Sequence, residues 1–407
     1  MPSFSNMCWV FFSRQPVIVG EAMVQRSNAA RRPPLVYITV ASVLAALLWV
    51  RWGGIRKGIW IDLDVYIRGA GAVIRHEPLY SVSVQGQYFT YPPFAAVFFV
   101  PLELLGDFGA RLALTLASIG CYVVIVVVCA RRLRMNVAAA AIVGLIGLSL
   151  EPFARTFLLG QINLVLLALV VIDCLVVPAR YRGMLIGIAA GIKLLPGAFI
   201  LFLILKREWW AVGRAIAVFA VTGVVGAVFA PNASWFFWSG GFIQLSRFGS
   251  DAVIRGDNQS LTGAFMRLSR DLSPPVVVTL LLSIGALLLG VIAAKRQIDS
   301  GNDVNGLVCI GFASLLASPV SWTHHWVWAV LALLVLVQGR HLVAAAVLGA
   351  VFVVGPMWLT PRGDLLELRD NLWQAAACLA YTVVALAYLI FYARSPQKTE
   401  MGIRTAS

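Results

Sequence analysis

Leu112-Ala-Leu-Thr-Leu-Ala-Ser-Ile-Gly-Cys-Tyr-Val-Val-Ile-Val-Val-Val-Cys-Ala130, closed by Arg131-Arg-Leu-Arg134, decides the solvent in which this chain folds. No charge interrupts the first nineteen residues, and three arginines follow within four positions. At about 1.5 Å of helix rise per residue, such a run matches a hydrocarbon layer about 30 Å thick. A basic cluster at its end reads as the cytoplasmic side of a span. The pattern continues outward in both directions. Apolar runs occupy about 35–52, 94–105, 137–150, 162–178, 184–192 with 196–205, 214–230, 276–294, 304–318, 326–338, 342–358 and 375–393. Basic residues fall between them: Arg180 and Arg182, Lys206, Arg207 and Arg214, Lys295 and Arg296, Arg340, Arg394 and Lys398.

Composition agrees. The chain is 60% hydrophobic and 12% charged, against about 25% charged for soluble domains, and its mean hydropathy is +0.87. So few polar side chains cannot cover a soluble fold of this length. The expected fold is an all-α polytopic membrane protein with roughly 11–13 transmembrane or partial helices. The formal net charge of +14 would suggest nucleic acid on a soluble protein. Here its placement between apolar runs points to membrane lipids instead, with no nucleic-acid partner.

Several apolar runs are shorter than the roughly 20 residues of a full span. Short or broken helices at membrane depth need protein or a wet cavity beside them, so the bundle is expected to surround an outward-facing cavity. Assigning basic clusters to the cytoplasm puts residues 1–34 and 394–407 inside as tails around one membrane domain, 35–393. The stretches 53–92, 151–161, 231–275, 319–325 and 359–374 then face outside. This requires 184–205 to be a hairpin of two half-length helices with Lys193 and Pro196 near its tip, and 94–105 to be a partial helix. Met7–Phe12 is too short for a signal peptide. Cys8, Cys121, Cys129, Cys174, Cys309 and Cys378 show no metal-ligand or redox spacing, which leaves structural thiols.

The unusual polar residues share the outer side. Asp62, Asp64, Tyr66 and Arg68 lie in the first loop, which ends at Tyr91. Glu151, Arg155, Gln161 and Asn163 follow in the next. Lys193 is the one lysine inside an apolar stretch, Asn258 and Gln259 lie in the large loop, and Trp322, His324 and His325 in a later one. Each has a plain structural alternative. Asp62 could cap a helix, the histidines could belong to an interfacial aromatic belt, Lys193 could snorkel, and Gln161 and Asn163 could glue helices together. Their convergence on one side favours function. A transporter would place charges near the midplane with an internal repeat, and a channel would carry a ring or filter motif. Neither pattern is present. An enzyme at the outer leaflet needs an acid or base, groups that hold a leaving anion, and aromatic rings to stack on sugars, and this sequence supplies all three.

The residues also resemble a known family. Asp62-Leu-Asp-Val-Tyr66, Phe89-Thr-Tyr-Pro-Pro93, Leu159-Gly-Gln-Ile-Asn163, Gly187-Ile-Ala-Ala-Gly-Ile-Lys-Leu-Leu-Pro196, Asn258-Gln-Ser-Leu261 and Ser318-Pro-Val-Ser-Trp-Thr-His-His-Trp326 resemble, in order, the tags of glycosyltransferase family 87. These are polyprenol-phosphate-mannose-dependent mannosyltransferases of the GT-C fold. Within the family the chain is most similar to enzymes adding an α-1,2-linked fifth mannose to phosphatidylinositol mannosides. Lipoarabinomannan-branching relatives carry the same tags. The resemblance implies a polyprenyl-phosphate mannose donor and a phosphatidylinositol mannoside acceptor; the histidines lack carboxylate partners at metal-ligand spacing, so no metal, and no other cofactor, is expected. It makes Asp62 the catalytic base, ranks Asp64 second, and places the histidine pair on the site wall. Asp64, Tyr66, Arg68, Tyr91, Arg155, Gln161, Asn163, Lys193, Asn258, Gln259, Trp322 and the two histidines are expected to contact substrate, and the active site is expected on the outer face of the plasma membrane.

Overall fold

The computed structural model describes residues 59–81, 83–244 and 251–395. The expected first span at 35–52, the N-terminal tail with Cys8, and the C-terminal tail from residue 396 lie outside these residues.

Every expected apolar run within the described residues is helical. The polar first loop holds helix α1 (Ile61–Ile74) and a two-stranded hairpin, β1 (Ser83–Val84) with β2 (Gln87–Tyr88). Short helices α2 (Pro93–Phe98) and α3 (Val100–Leu104) form the partial segment, followed by α4 (Gly106–Arg132). Next come α5 (Val137–Ser149), α6 (Glu151–Leu159), α7 (Asn163–Leu175), α8 (Met184–Ile192) and α9 (Ile200–Leu205), a 3-10 turn (Leu195–Phe199) lying between the last two. The chain continues through α10 (Trp209–Phe229), α11 (Pro231–Trp238), α12 (Leu261–Ser269), α13 (Val276–Asp299) and α14 (Asp303–Ala317). A 3-10 segment (Thr323–Trp328) leads into α15 (Ala329–Gln338), then α16 (Leu342–Val354), α17 (Leu372–Cys378) and α18 (Ala380–Arg394).

Among the described residues three helices, α4, α10 and α13, are long and apolar enough to cross a membrane unaided. The pairs α5–α6 and α17–α18 reach that length only across bends of 57° and 62°. Burial separates lipid-facing from central helices. In α10 only 17% of the apolar window is buried, so an apolar surface is left facing outward, which is tolerable where lipid is the solvent. In α15 every residue from Ala329 to Leu336 is buried, and with α14 it forms the centre of the main core.

The loops hold more structure than their polarity suggested. Proline opens α6 and α11 within the first turn, where its missing N–H costs nothing. Ser260 caps α12 by accepting from Gly263 N, and Asn371 forms a capping box with Gln374 at α17. Polar sequence here encodes helix ends rather than irregular loop.

The segment 184–205 is a hairpin. Arg182 and Glu208 pair at its two ends, and Arg214 donates to Arg182 O at 2.9 Å. A Cβ at Gly187 would strike Ala215 O and Val218, and one at Gly191 would strike Thr222. Helix α8 therefore runs parallel to and directly against α10, small residues allowing the approach, and 195–205 is the return limb. Lys193 sits at the turn, as the C-cap of α8. The basic groups share one end of the bundle. Arg132 donates to Leu175 O, and Lys206 pairs with Asp303 at 2.6 Å. The start of α7 at Asn163 lies about 18 Å away along its axis, at 1.5 Å per residue over twelve residues, towards the opposite end.

Candidate active site

Backbone geometry brings the first two tags together. Trp60, before α1, adopts left-handed φ 52° and ψ 15°, and its N–H donates to Leu158 O at 3.0 Å. A non-glycine residue in that region is uncommon and held by its surroundings. Opposite it, Gly160 closes α6 at φ 68°, and a Cβ there would come 2.7 Å from that of Leu63. Glycine at 160 is thus required twice, for its φ and for the close approach. The result sets Asp62 beside Gln161.

A chain of hydrogen bonds fixes that contact. Tyr66, one helical turn after Asp62, donates its hydroxyl to Gln161 Oε1 at 2.8 Å. Its single proton is then engaged, so Tyr91, whose oxygen is 3.0 Å away, donates to Tyr66. With Gln161 Oε1 occupied, its amide nitrogen turns to the Asp62 carboxylate. Asp62 keeps some accessible surface while protein surrounds it, as at the floor of a cavity. Desolvation raises its pKa above the ordinary carboxylate value, opposed by the Gln161 hydrogen bond and by the positive charges of Lys193 and Arg155.

The second wall is cationic. The Lys193 ammonium donates to Asn163 Oδ1 at 3.1 Å and approaches His325 Nε2 at 2.9 Å, and it lies 5.4 Å from the Tyr91 ring centre. Asn163 is oriented by its own donation to His324 O at 2.9 Å. Because an ammonium can only donate, His325 Nε2 accepts and the ring proton is assigned to Nδ1. That Nδ1, together with His324 Nε2 and Arg155 Nε, is buried with no hydrogen-bond partner among the described residues. A narrow slot of about 40 Å³ opens beneath Lys193 and His325, lined by Leu166, Leu167, Phe199 and Trp328. Buried polar groups are normally paired; three open ones around a lysine suit an anion.

The remaining candidates fall elsewhere. Asp64 and Arg68 lie away from Asp62 on α1, about 200° and about 240° around the helix at 100° per residue. Asp64 pairs with Arg111 at 3.7 Å, and Arg68 is exposed. Neither is gathered with Asp62 and Lys193. Asn258 donates to Val253 O and Pro319 O and accepts from Ser260 N and Ser321 N. Gln259 donates to Gly256 O and Cys378 O and accepts from Tyr381 N. Both are fully buried and bonded to backbone groups that fasten the large loop, apart from the cluster around Lys193. Trp322 lies under the Arg255 guanidinium at 5.2 Å, itself paired with Asp257.

A sequence profile described as glycosyltransferase family 87 matches residues 89–319. The chain is 31% identical to a polyprenol-phosphate-mannose-dependent alpha-(1-2)-phosphatidylinositol mannoside mannosyltransferase of Mycobacterium tuberculosis H37Rv, over 88% of this chain and 89% of that protein. It is 33% identical to the protein of the same description from Mycolicibacterium smegmatis, over 85% and 87%. A third relative, a phosphatidylinositol pentamannoside mannosyltransferase of M. smegmatis, is 33% identical over 86% and 89%. No solved structure matches significantly. The chain belongs to glycosyltransferase family 87. It is an all-α, multi-pass membrane glycosyltransferase of the GT-C fold.

Within this family-87 site, sequence reading noticed Glu151 without giving it a role. The buried Glu151 carboxylate accepts from Thr323 Oγ1 at 2.8 Å, Trp358 Nε1 at 2.6 Å and Tyr381 O–H at 2.9 Å. Thr323 precedes the histidine pair, and Trp358 is the plate on which Arg155 rests at 4.4 Å. One carboxylate thus braces both parts of the cationic wall. Its signal in the sequence was an acid set directly after an apolar run; Trp358 had none, since it reads as the end of a span.

Proposed function

We propose that this chain is an inverting α-1,2-mannosyltransferase. It moves mannose from polyprenyl monophosphate mannose to a phosphatidylinositol mannoside, as the fifth mannose, on the outer face of the plasma membrane. The observation that carries the reading is the pairing of one desolvated carboxylate, Asp62, with a separate wall in which the Lys193 ammonium, held by Asn163 and His325, stands with the open nitrogens His325 Nδ1 and Arg155 Nε. The relatives' names supply the donor and acceptor classes.

The reaction needs one base and no acid. The acceptor 2-hydroxyl oxygen attacks the anomeric carbon as its proton passes to the Asp62 carboxylate. The bond from that carbon to the phosphate oxygen breaks, and the electron pair leaves with polyprenyl phosphate. Lys193, His325 Nδ1–H and Arg155 stabilise the departing charge from fixed positions, which requires no reorganisation during the reaction. Attack opposite a β-linked phosphate yields the α product. Outer placement is supported by the basic groups gathering at the other end of the bundle, which the positive-inside rule assigns to the cytoplasm.

The purified protein, given polyprenyl-phosphate mannose and phosphatidylinositol tetramannoside, should form a product one mannose heavier whose new linkage an α-1,2-specific mannosidase removes. Transfer to a different hydroxyl, or none to any phosphatidylinositol mannoside, would overturn the reading. No metal takes part in the proposed chemistry. Among the described residues no three His, Cys, Asp or Glu side chains converge as a ligand set, and cations already face the phosphate. Activity should therefore survive EDTA and exhaustive dialysis, and recovery only on adding Mn²⁺ or Mg²⁺ would refute this.

A further inference from the structure

A second, larger cavity lies on the same end of the bundle, outside the site just described. It has a volume of about 510 Å³ and sits between the last turn of α1 with its following loop and the corner joining α10 to α11. Val73, His76 and Tyr80 line one side, and Phe229, Asn232 and Phe236 the other.

Three observations bear on what it holds. The first is its level. Helix α10 is a candidate span whose C-terminal end is Phe229, and exposed aromatic residues, Phe229, Trp235, Phe236 and Trp238, cluster just there. Aromatic belts mark the boundary between hydrocarbon and headgroups, so the cavity lies at headgroup depth. The second is its chemistry. Tyr80, Phe229 and Phe236 offer ring surface, while Glu77, Ser81 and Asn232 offer hydrogen-bonding groups among the lining residues. His76 is the one lining side chain able to become cationic, so the cavity suits neutral polyols better than phosphate. The Tyr80 ring is held firmly, its hydroxyl donating to Tyr91 O at 2.9 Å and its face stacked on Phe237 at 6.0 Å.

The third is its distance from the base. Val73 follows Asp62 by eleven residues on one straight helix, about 16 Å along the axis. A glycolipid with several sugar rings spans that gap, keeping its lipid end in the membrane while its terminal sugar reaches Asp62. Tyr80 and Tyr91 connect the two places directly, since Tyr91 is also part of the Asp62 network.

We infer that this cavity is a subsite for the membrane-proximal sugars of the acceptor glycolipid, its inositol and first mannose. The inference rests on the acceptor class proposed above. It gives the two lipid substrates separate places: the donor phosphate at Lys193 and His325, and the acceptor's anchored end between α1 and α11.

Filling the cavity tests it. Asn232 and Ser81 are both exposed positions on opposite walls, so Asn232→Trp and Ser81→Trp should each fold, as near-unchanged thermal unfolding would show. With phosphatidylinositol tetramannoside as acceptor, either variant should raise the acceptor KM about tenfold and leave the donor KM and kcat within about twofold. Binding of the same glycolipid to Asp62→Asn protein, with and without Asn232→Trp, gives the equivalent answer without turnover. An unchanged acceptor KM and Kd in both variants, or an equal rise in donor KM, would overturn the subsite and leave the cavity to a structural lipid. Failure of the underlying reading looks different: the unsubstituted protein would transfer no mannose to any phosphatidylinositol mannoside.

Discussion

Two polar tags that read alike in the sequence have opposite fates in the fold. Asn258-Gln259 closes every donor and acceptor on backbone groups of its own loop and of the segments around Pro319, Ser321 and Cys378. Around Gln161, held by Tyr66, and Asn163, which bonds the histidine loop, Lys193 is shared between two neighbours and three further N–H or imidazole nitrogens stay open. Buried polar groups are costly unless satisfied, so the first tag contributes stability and the second retains unmet capacity for a ligand. Between these two tags the difference is saturation, not polarity or burial. The same contrast divides α1, where Asp62 faces Gln161 and Asp64, two residues on, faces Arg111 and solvent.

The sharpest way to break the α1 contrast is to neutralise each acid in turn. Asp62→Asn should lower kcat by about 10²–10⁴-fold, the usual cost of losing a positioned base. Asp64→Asn should keep turnover within about threefold, since a surface ion pair contributes about 0–1 kcal/mol. Turnover assays at saturating donor and acceptor decide it; the reverse order would move the base to Asp64.

The cationic wall should give the next largest effect. Lys193→Met or His325→Ala removes a charged or N–H contact to the leaving phosphate, and such contacts are worth about 1.5–3 kcal/mol, or about 10–100-fold. The loss should persist at saturating acceptor and appear as weaker binding of polyprenyl-phosphate mannose. Unchanged donor binding and turnover in both variants would make the open nitrogens a packing feature. Gln259→Ala should behave in the opposite way. It removes the acceptor of Tyr381 N and the donor to Gly256 O, while Cys378 O keeps Arg267, at about 1–3 kcal/mol, so the unfolding midpoint in detergent should fall while both KM values hold. A selective change in acceptor KM with intact stability would show that saturation does not identify scaffold.

Sequence made the spans legible because lipid imposes one rule on every helix: apolar side chains outward and backbone bonds closed internally. The hairpin at Lys193 was legible for the same reason, since a charge inside an apolar run demanded a tip or a cavity. The candidates Asp62, Tyr66, Tyr91, Gln161, Asn163, Lys193, His324 and His325 were named from their tags, and the fold gathers them, with Arg155 at the margin. What stayed hidden depends on direction. Nothing in Asp62-Leu-Asp-Val-Tyr66 states which acid faces inward until helical phase and the Gly160 contact are known. Nor does Asn258-Gln259 reveal that its partners are carbonyls more than fifty residues away. The bracing by Glu151 joins Thr323, Trp358 and Tyr381, a convergence created by tertiary packing alone.

The smallest expected effect probes the link between the Tyr91–Tyr66–Gln161 chain and the base. Asp62 must be deprotonated to accept the acceptor proton, and desolvation raises its pKa. The acid limb of the pH profile of kcat/KM should therefore lie above the range of an ordinary carboxylate, with activity lost as pH falls through it. The Gln161 amide favours the charged form and so lowers that pKa. Gln161→Leu removes the hydrogen bond without adding charge. The Asp62 pKa should then rise further and the limb move to higher pH, so that activity falls several-fold near neutrality and returns as the pH is raised. A purely structural role for Gln161 would lower activity equally at every pH and leave the limb in place. That outcome would detach Gln161 from the base, and the two tyrosines behind it would revert to wall residues.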